Sequence, residues 1–189
     1  FARLPKLCSY AHLPMQSGSD RILRGMRRPY TMKRFMEIVK KLRQVCPSMR
    51  LSTDVIVGFP GETEEDFNAT KEAFRESDFA MGYIFKYSER SGTPAAELED
   101  KVPQEIKEQR NQELLALLDT QSIASNRKLL GLPMEILVEG RARKGEGKLM
   151  GRTRCYRKVI FEGSTNLIGS LVDVHIKDVS SSILKAIET

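Results

Sequence analysis

Apolar and polar positions follow two different rhythms along this chain. In residues 1–130, short β-branched or aromatic runs lead into polar, glycine-bearing loops and then into apolar residues spaced three and four apart. Residues 51–67, LSTDVIVGFPGETEEDF, show the unit most clearly. Val55, Ile56 and Val57 form the short run expected of a strand covered on both faces. Gly58, Pro60 and Gly61 break it within four residues. Thr63 followed three residues later by Asp66 fits a capping box, so a helix begins there and runs to about Ser77 with Phe67 and Phe74 on one face. Residues 10–20, YAHLPMQSGSD, repeat the grammar, with a helix from Ser19 or Asp20 through Met26. Residues 79–96, FAMGYIFKYSERSGTPAA, form the third unit, with 85–87 in its strand. Between the first two, Phe35, Ile38, Val39 and Leu42 mark a helix over 31–46 that Pro47 stops.

The longest predicted helix opens at Pro103 and extends to about Leu130, where Gly131 takes the position after the helix end. After Pro133 the rhythm changes. Segments 134–139, 148–150, 156–162 and 171–177 are short and β-like, separated by frequent glycines, the pattern of a small β-barrel. The expected class is therefore α/β over 1–130, with consecutive βα units in a parallel sheet or barrel, followed by a small all-β barrel over 131–189. In such α/β arrangements the polar loops at the strand C-termini build the site.

Charge changes this picture in one place. Residues 1–126 carry 19 basic and 18 acidic side chains, whereas 127–189 carry 12 and 7, so the excess of the +6 net charge sits in the last third. Arg141, Arg143, Lys144, Lys148, Arg152, Arg154, Arg157 and Lys158 lie within 18 residues that contain one acid, Glu146, and Tyr156 is interleaved among them. Either this is a solvated face or it is a surface for RNA phosphates with a ring for base stacking. The remaining totals, 40% hydrophobic and 30% charged, suit a water-exposed globular protein, and no apolar run approaches 18 residues, so no membrane partner is expected. Cys8, Cys46 and Cys155 are scattered, which points to a reducing compartment, to small buried apolar roles for each, and away from an internal zinc or iron–sulfur site. The chain starts at Phe rather than Met, so it reads as a piece of a longer protein.

Four runs together resemble the C-terminal half of radical S-adenosylmethionine methylthiotransferases of the MiaB/RimO type: HLPMQSGSDRILRGMRR (12–28), DVIVGFPGETEEDF (54–67), YSERSGTPAAELEDKVP (87–103), and ILVEG with GRTRCYRKVIFEG and IGSLVDVHIKDV (136–179). The last of these resembles a TRAM domain, an RNA-binding β-barrel. The resemblance implies the C-terminal half, the last three strands, of a six-stranded partial (βα) barrel followed by TRAM. It implies S-adenosylmethionine as cofactor and [4Fe–4S] clusters in the parent protein. The cluster-binding cysteine loop and the N-terminal domain of the family have no counterpart in these residues.

By the same resemblance, Gln16 and Ser17 fall at the ribose and methionine end of the cofactor, although Ser and Asp also simply cap helices. Asp54, a carboxylate inside an apolar strand, needs partners: a barrel neighbour, or the cofactor's ammonium or hydroxyls. Ile56 and Gly58 fit the family's strand motif, with Asp54 replacing its first glycine and Glu62 standing one position late. Glu62 then reads as a helix-dipole acid. Phe85 and Tyr87 border the adenine or act as ordinary half-buried aromatics. Arg90 clamps a carboxylate or RNA phosphate, or is a surface arginine. His12 is a core histidine or a ligand.

The resulting expectation is a cytoplasmic transferase whose parent adds a methylthio group at C2 of an N6-modified adenosine beside a tRNA anticodon, with tRNA as partner. In this chemistry the cofactor yields a 5′-deoxyadenosyl radical that takes a hydrogen from the substrate. The rivals are a ribosomal-protein aspartate methylthiotransferase, a non-catalytic RNA-binding module, and a non-radical barrel enzyme with Asp54 and Glu62 as acid and base. The strand over 10–15 is expected at a sheet edge, self-associating, covered by residues 1–8 or disordered, with Leu13, Val55 and Val57 partly open to water.

Overall fold

The computed structural model describes residues 3, 4 and 6–188 in two compact units. The first comprises residues 11–47 and 51–118 and holds a three-stranded sheet in the order β1-β2-β3. Its strands are β1 (Tyr10–His12), β2 (Arg50–Val57) and β3 (Met81–Lys86). Four helices accompany them: α1 (Asp20–Gly25), α2 (Met32–Val45), α3 (Glu64–Ser77) and α4 (Gln104–Arg127), the last continuing into the second unit from residue 119. β2 and β3 are parallel, with Asp54 opposite Tyr83 and Ile56 opposite Phe85. Beyond β1, Gln16 bridges in parallel to Val55, so pairing to β2 continues past the end of the strand.

The odd positions of β2, Leu51, Val55 and Val57, are fully buried, as are Phe67 and Phe74 of α3 and Phe79 before β3. Phe74 meets Phe79 edge-on at 5.1 Å and Phe35 of α2 meets Phe79 at 6.4 Å. This corrects the expectation that Val55 and Val57 stand partly open: they lie on the packed face, and the even positions Asp54 and Ile56 are the half-buried ones. A period of two assigns faces but not which face is covered. β1 is ordered and sits at the end of the sheet. The expected cover by residues 1–8 rests partly on Phe1, Ala2 and Pro5, which lie outside the described residues.

The helix starts follow the local chemistry. Thr63 Oγ1 accepts from the Asp66 amide while Asp66 Oδ2 accepts from the Thr63 amide, the reciprocal box that the spacing predicts. Thr31 caps α2 and Ser19 caps α1. Gly18 makes a close approach possible: a Cβ there would stand 2.4 Å from Thr70 Cα and 2.5 Å from Ala69 O, so only glycine lets the first loop lie on the α3 backbone.

The second unit contains residues 3, 4, 6–10, 48–50 and 119–188 and is dominated by a closed barrel in the order β4-β5-β6-β8-β7. Its strands are β4 (Pro133–Arg141), β5 (Lys148–Thr153), β6 (Lys158–Glu162), β7 (Leu171–Val179) and β8 (Ile183–Glu188). Ile136, Val138, Leu149, Val159, Phe161, Val174, Ile176 and Leu184 fill it. The four expected strands are present and a fifth was missed. β8, ILKAIE, pairs parallel to β6 and antiparallel to β7 and thereby closes the ring. Its alternation, with Leu184 and Ala186 inside and Lys185 outside, is short and ends near the chain terminus, where pattern alone is weak.

Candidate cofactor cavity and basic hairpin

In the α/β unit a cavity of about 580 Å³ opens at the ends of β2 and β3. The volume suits a nucleoside-sized ligand. Six of the eight residues singled out for a cofactor line it: Gln16, Asp54, Ile56, Phe85, Tyr87 and Arg90. The sequence reading missed Arg28, Lys86, Ser88, Thr93 and Ala95, which also line it. Ser88, Thr93 and Ala95 sit in the loop that was read as polar. Arg28 returns to the cavity only because the chain reverses after α1, and no local spacing signals that.

Gln16 is held in an unusual state. It adopts φ +64°, its amide donates to Asp54 O at 2.8 Å, and its carbonyl accepts from the Ile56 amide at 2.9 Å. Left-handed backbone at a residue with a long side chain is uncommon and concentrates at functional sites. The side chain is buried, and its Oε1 accepts from Arg28 Nη2 at 3.1 Å. Asp54, half-buried, lies 3.4 Å from His12 Nε2, and His12 Nδ1 pairs with Ser52 Oγ at 2.8 Å. Thus the carboxylate inside the strand has a neighbour on β1 and still faces the cavity. Phe85 is half-exposed beside Tyr83, the two rings stacked at 6.3 Å. Tyr87 packs edge-on to Phe59 at 5.3 Å, and its buried hydroxyl finds no hydrogen-bond partner among the described residues.

Two expected ligands lie elsewhere. Ser17 is fully buried and turned toward α3, its Oγ 3.4 Å from Thr70 Oγ1 and accepting from the Ser19 amide. Gly58, at φ +71°, turns the chain and donates its amide to Glu62 Oε2 at 2.7 Å. Glu62 itself is a buried structural ion. Arg110 of α4 reaches its Oε2 at 2.7 Å, with side chains only 7% and 1% exposed. Burial pushes the Glu62 carboxyl up, against the Gly58 amide and Arg110, which pull it down. It does not line the cavity, so the reading of Asp54 and Glu62 as an acid–base pair and that of Glu62 as a simple helix-dipole acid are both corrected.

Beneath the turn, Asp66 gathers the first loop and α3. It accepts from Ser19 Oγ at 2.5 Å and pairs with Arg21. Burial works to raise its carboxyl, but hydrogen bonds from Arg21, Ser19 and Thr63 outweigh that and hold it down at about 2.

In the barrel unit the eight basic residues divide sharply. Arg157 is buried, donating to Asn126 Oδ1 at 2.9 Å, Ser125 Oγ at 2.7 Å and Cys155 Sγ at 2.6 Å. Arg152 Nε donates to both carboxylate oxygens of Glu139, at 2.9 and 3.0 Å, and the guanidinium lies over the Tyr156 ring, 4.2 Å from its centroid. Arg154 pairs with Glu135 at 3.1 Å. Arg141, Arg143, Lys144 and Lys158 are exposed and Lys148 half-buried, and no carboxylate pairs with any of the five among the described residues. Four of them, Arg141, Arg143, Lys144 and Lys148, belong to the β4–β5 hairpin.

The residues present fit an adenosyl–amino acid cofactor in kind: a carboxylate, a carboxamide, two guanidinium groups and apolar Ile56 and Phe85 around one cavity. They do not fit an iron–sulfur cluster. Cys155 is buried, Cys46 intermediate and Cys8 exposed, contrary to the expectation of burial for all three, and no metal-holding group of His, Cys, Asp and Glu occurs among the described residues. No helix among the described residues is long and apolar enough to cross a membrane.

Comparison with known proteins agrees with this division. Residues 1–74 match the radical SAM superfamily and residues 127–187 match the TRAM domain. Over 97% of its length the chain is 55% identical to a tRNA-2-methylthio-N(6)-dimethylallyladenosine synthase of Opitutus terrae, covering 38% of that protein. It is 48% identical over 98% to the corresponding enzyme of Bordetella avium and 44% identical over 94% to that of Akkermansia muciniphila, covering 39% of each. The chain thus spans about two fifths of the length of these relatives, in their C-terminal part.

Proposed function

We propose that this chain is part of a radical SAM methylthiotransferase with a TRAM domain, a protein that adds a methylthio group to an N6-modified adenosine of tRNA. In this reading residues 1–130 are the C-terminal half of a partial (βα)6 barrel and residues 131–189 the TRAM barrel. The observation that carries it is the cavity at the ends of β2 and β3, with Gln16, Asp54, Ile56, Phe85 and Arg90 around it. Asp54 takes the ammonium or hydroxyls of S-adenosylmethionine. Gln16, its carboxamide oxygen held by Arg28, presents its amide nitrogen. Ile56 and Phe85 provide the apolar wall for the adenine, and Tyr87 acts through packing on Phe59. With a [4Fe–4S] cluster that other residues of the protein would hold, the cofactor would supply radical chemistry, and the residues named here would bind and orient it.

The barrel's role is RNA binding through phosphate contacts, carried by the unpaired cations of the β4–β5 hairpin rather than by all eight basic residues. Relatives of 44–55% identity named as tRNA enzymes favour RNA over a ribosomal protein as substrate. A tRNA substrate also places the protein in the cytoplasm. The outer side of β1, the end strand of the sheet, is a place where another strand of the protein, or a second copy, pairs.

The test is equilibrium binding of S-adenosylmethionine to this chain and to the longer protein that contains it. Asp54→Ala and Gln16→Ala should each weaken binding by about tenfold or more while leaving thermal unfolding nearly unchanged. Unchanged affinity in both variants would remove the cavity from the cofactor site.

A further inference from the structure

The solvent-exposed part of the cavity lining carries positive charge. Four charged side chains line the cavity: Arg28, Asp54, Lys86 and Arg90. Lys86 pairs with Glu108 of α4, and Asp54 lies beside His12. Arg28 donates to the neutral carboxamide of Gln16, and no carboxylate pairs with Arg28 or Arg90 among the described residues. Depth separates these groups too. Gln16 is buried and Asp54 half-buried, whereas Arg28 and Arg90 are exposed. Two guanidinium groups without counter-charge therefore stand at the mouth of one cavity. Their forked donors match an oxyanion with two or more free oxygens, a fit that lysine lacks.

Resting on the RNA reading above, we infer that Arg28 and Arg90 clamp a backbone phosphate of the RNA substrate at the cavity mouth. The clamped phosphodiester stays at the solvent edge while its base turns inward toward the cavity. Extruding a base into a pocket requires that its backbone be fixed outside it, and a rim pair of arginines supplies that fixed point. Arg28 adds a link to the floor: the same guanidinium that faces the rim holds Gln16 Oε1 at 3.1 Å, so anchoring the phosphate and orienting the carboxamide are coupled. The same anion chemistry has a second source, the amino-acid carboxylate of the cofactor, and the experiment separates the two.

The probe RNA is a stem–loop with adenosines in its loop, titrated against this chain over a range of salt concentrations, with S-adenosylmethionine titrated separately by calorimetry. The double variant R28A/R90A should bind the RNA on the order of tenfold more weakly at low salt. It should also flatten the log affinity against log salt slope by about 0.7, one single-stranded phosphate. R28K/R90K should keep the slope and recover part of the affinity, because charge survives and the fork does not. S-adenosylmethionine affinity should fall less than RNA affinity in R28A/R90A, where Gln16 loses the guanidinium that holds it, and should be largely kept in R28K/R90K. A wild-type slope and affinity in R28A/R90A, or a loss confined to S-adenosylmethionine, overturns the clamp, the latter giving the arginines to the carboxylate. A wild-type chain that binds no RNA at any salt overturns the RNA reading and the clamp with it. RNA binding that survives R28A/R90A intact overturns the clamp alone.

Discussion

The α/β unit keeps one face of its sheet packed and the other partly open, whereas the barrel closes on itself. That difference decides where each unit puts its charges. In the barrel, the interior holds apolar side chains such as Ile136, Phe161 and Val174, and most charges point outward, where carboxylates cancel some of them. In the α/β unit, ions penetrate the structure: Glu62 and Arg110 are almost fully buried, Asp66 is tied into the first loop, and Asp54 sits within a strand. An open sheet end needs buried polar groups to shape a cavity. A closed barrel needs only filling, and leaves its chemistry to the hairpins.

The largest expected effect tests the buried ions. Glu62→Ala leaves the nearly unexposed Arg110 with only the exposed Glu64 as carboxylate partner while Gly58 loses its acceptor, so the α/β unit should lose about 2–4 kcal/mol of stability. Denaturant unfolding followed by probes in each unit checks it. The barrel signal should remain in place, and a variant that unfolds with wild-type midpoints would show that the pair is solvated and unimportant. Gly18→Ala should follow at about 1–3 kcal/mol, because the new methyl meets the α3 backbone rather than a movable side chain. An unchanged melting temperature would mean that loop and helix separate at no cost.

What was legible in the sequence follows the same contrast. The capping box at Thr63, the helix at 32–45 and the strand–loop–helix grammar could be read because each depends on neighbours within a few residues. The convergence of Gln16, Asp54 and Phe85 came from strand ends and from family resemblance. The Glu62–Arg110 pair could not be seen, since 48 residues separate its members and neither position looks unusual alone. Arg28 was hidden likewise. In the barrel, Arg157 looked like one of eight equivalent cations. Alternation along residues 153–159, with Thr153, Cys155 and Val159 buried, places it on the inner side, a signal overridden by its charge. β8 was passed over although its pattern alternates, because closure of the ring is a property of five strands together.

A smaller effect comes from Asp66. Its carboxyl is held at about 2 in the fold against an ordinary value of 3.8. A depressed carboxyl adds stability that is complete above about pH 4 and is lost as pH falls through about 2. The contribution at neutral pH is about 1–2 kcal/mol for a group tied to an exposed arginine. Asp66→Asn should therefore be less stable than the wild type at pH 7 and converge with it toward pH 2. Parallel stability curves across that range would break the assignment. No such acid-side difference is expected for a barrel variant such as Arg154→Ala, whose exposed pair with Glu135 contributes at most about 1 kcal/mol.

The smallest effect on stability gives the sharpest test of the barrel. Replacing Arg152, Arg154 and Arg157 together looks like a natural probe of RNA binding, but it confuses two things. Arg157 holds Asn126, Ser125 and Cys155 inside the unit, and Arg152 and Arg154 are already paired with glutamates. Arg143→Ala with Lys144→Ala removes two exposed hairpin charges that have no carboxylate partner among the described residues. Stability should change by less than about 0.5 kcal/mol. The tRNA salt slope should nonetheless fall by about 1–2, because each neutralised phosphate contributes nearly one unit. Arg152→Ala with Arg154→Ala should change that slope less, since it releases two glutamates along with removing two cations. If the paired arginines flatten the slope more than the hairpin cations do, RNA lies across the β4–β5 strand face and exchanges with Glu135 and Glu139, and the division of the barrel's charges into cancelled and available fails.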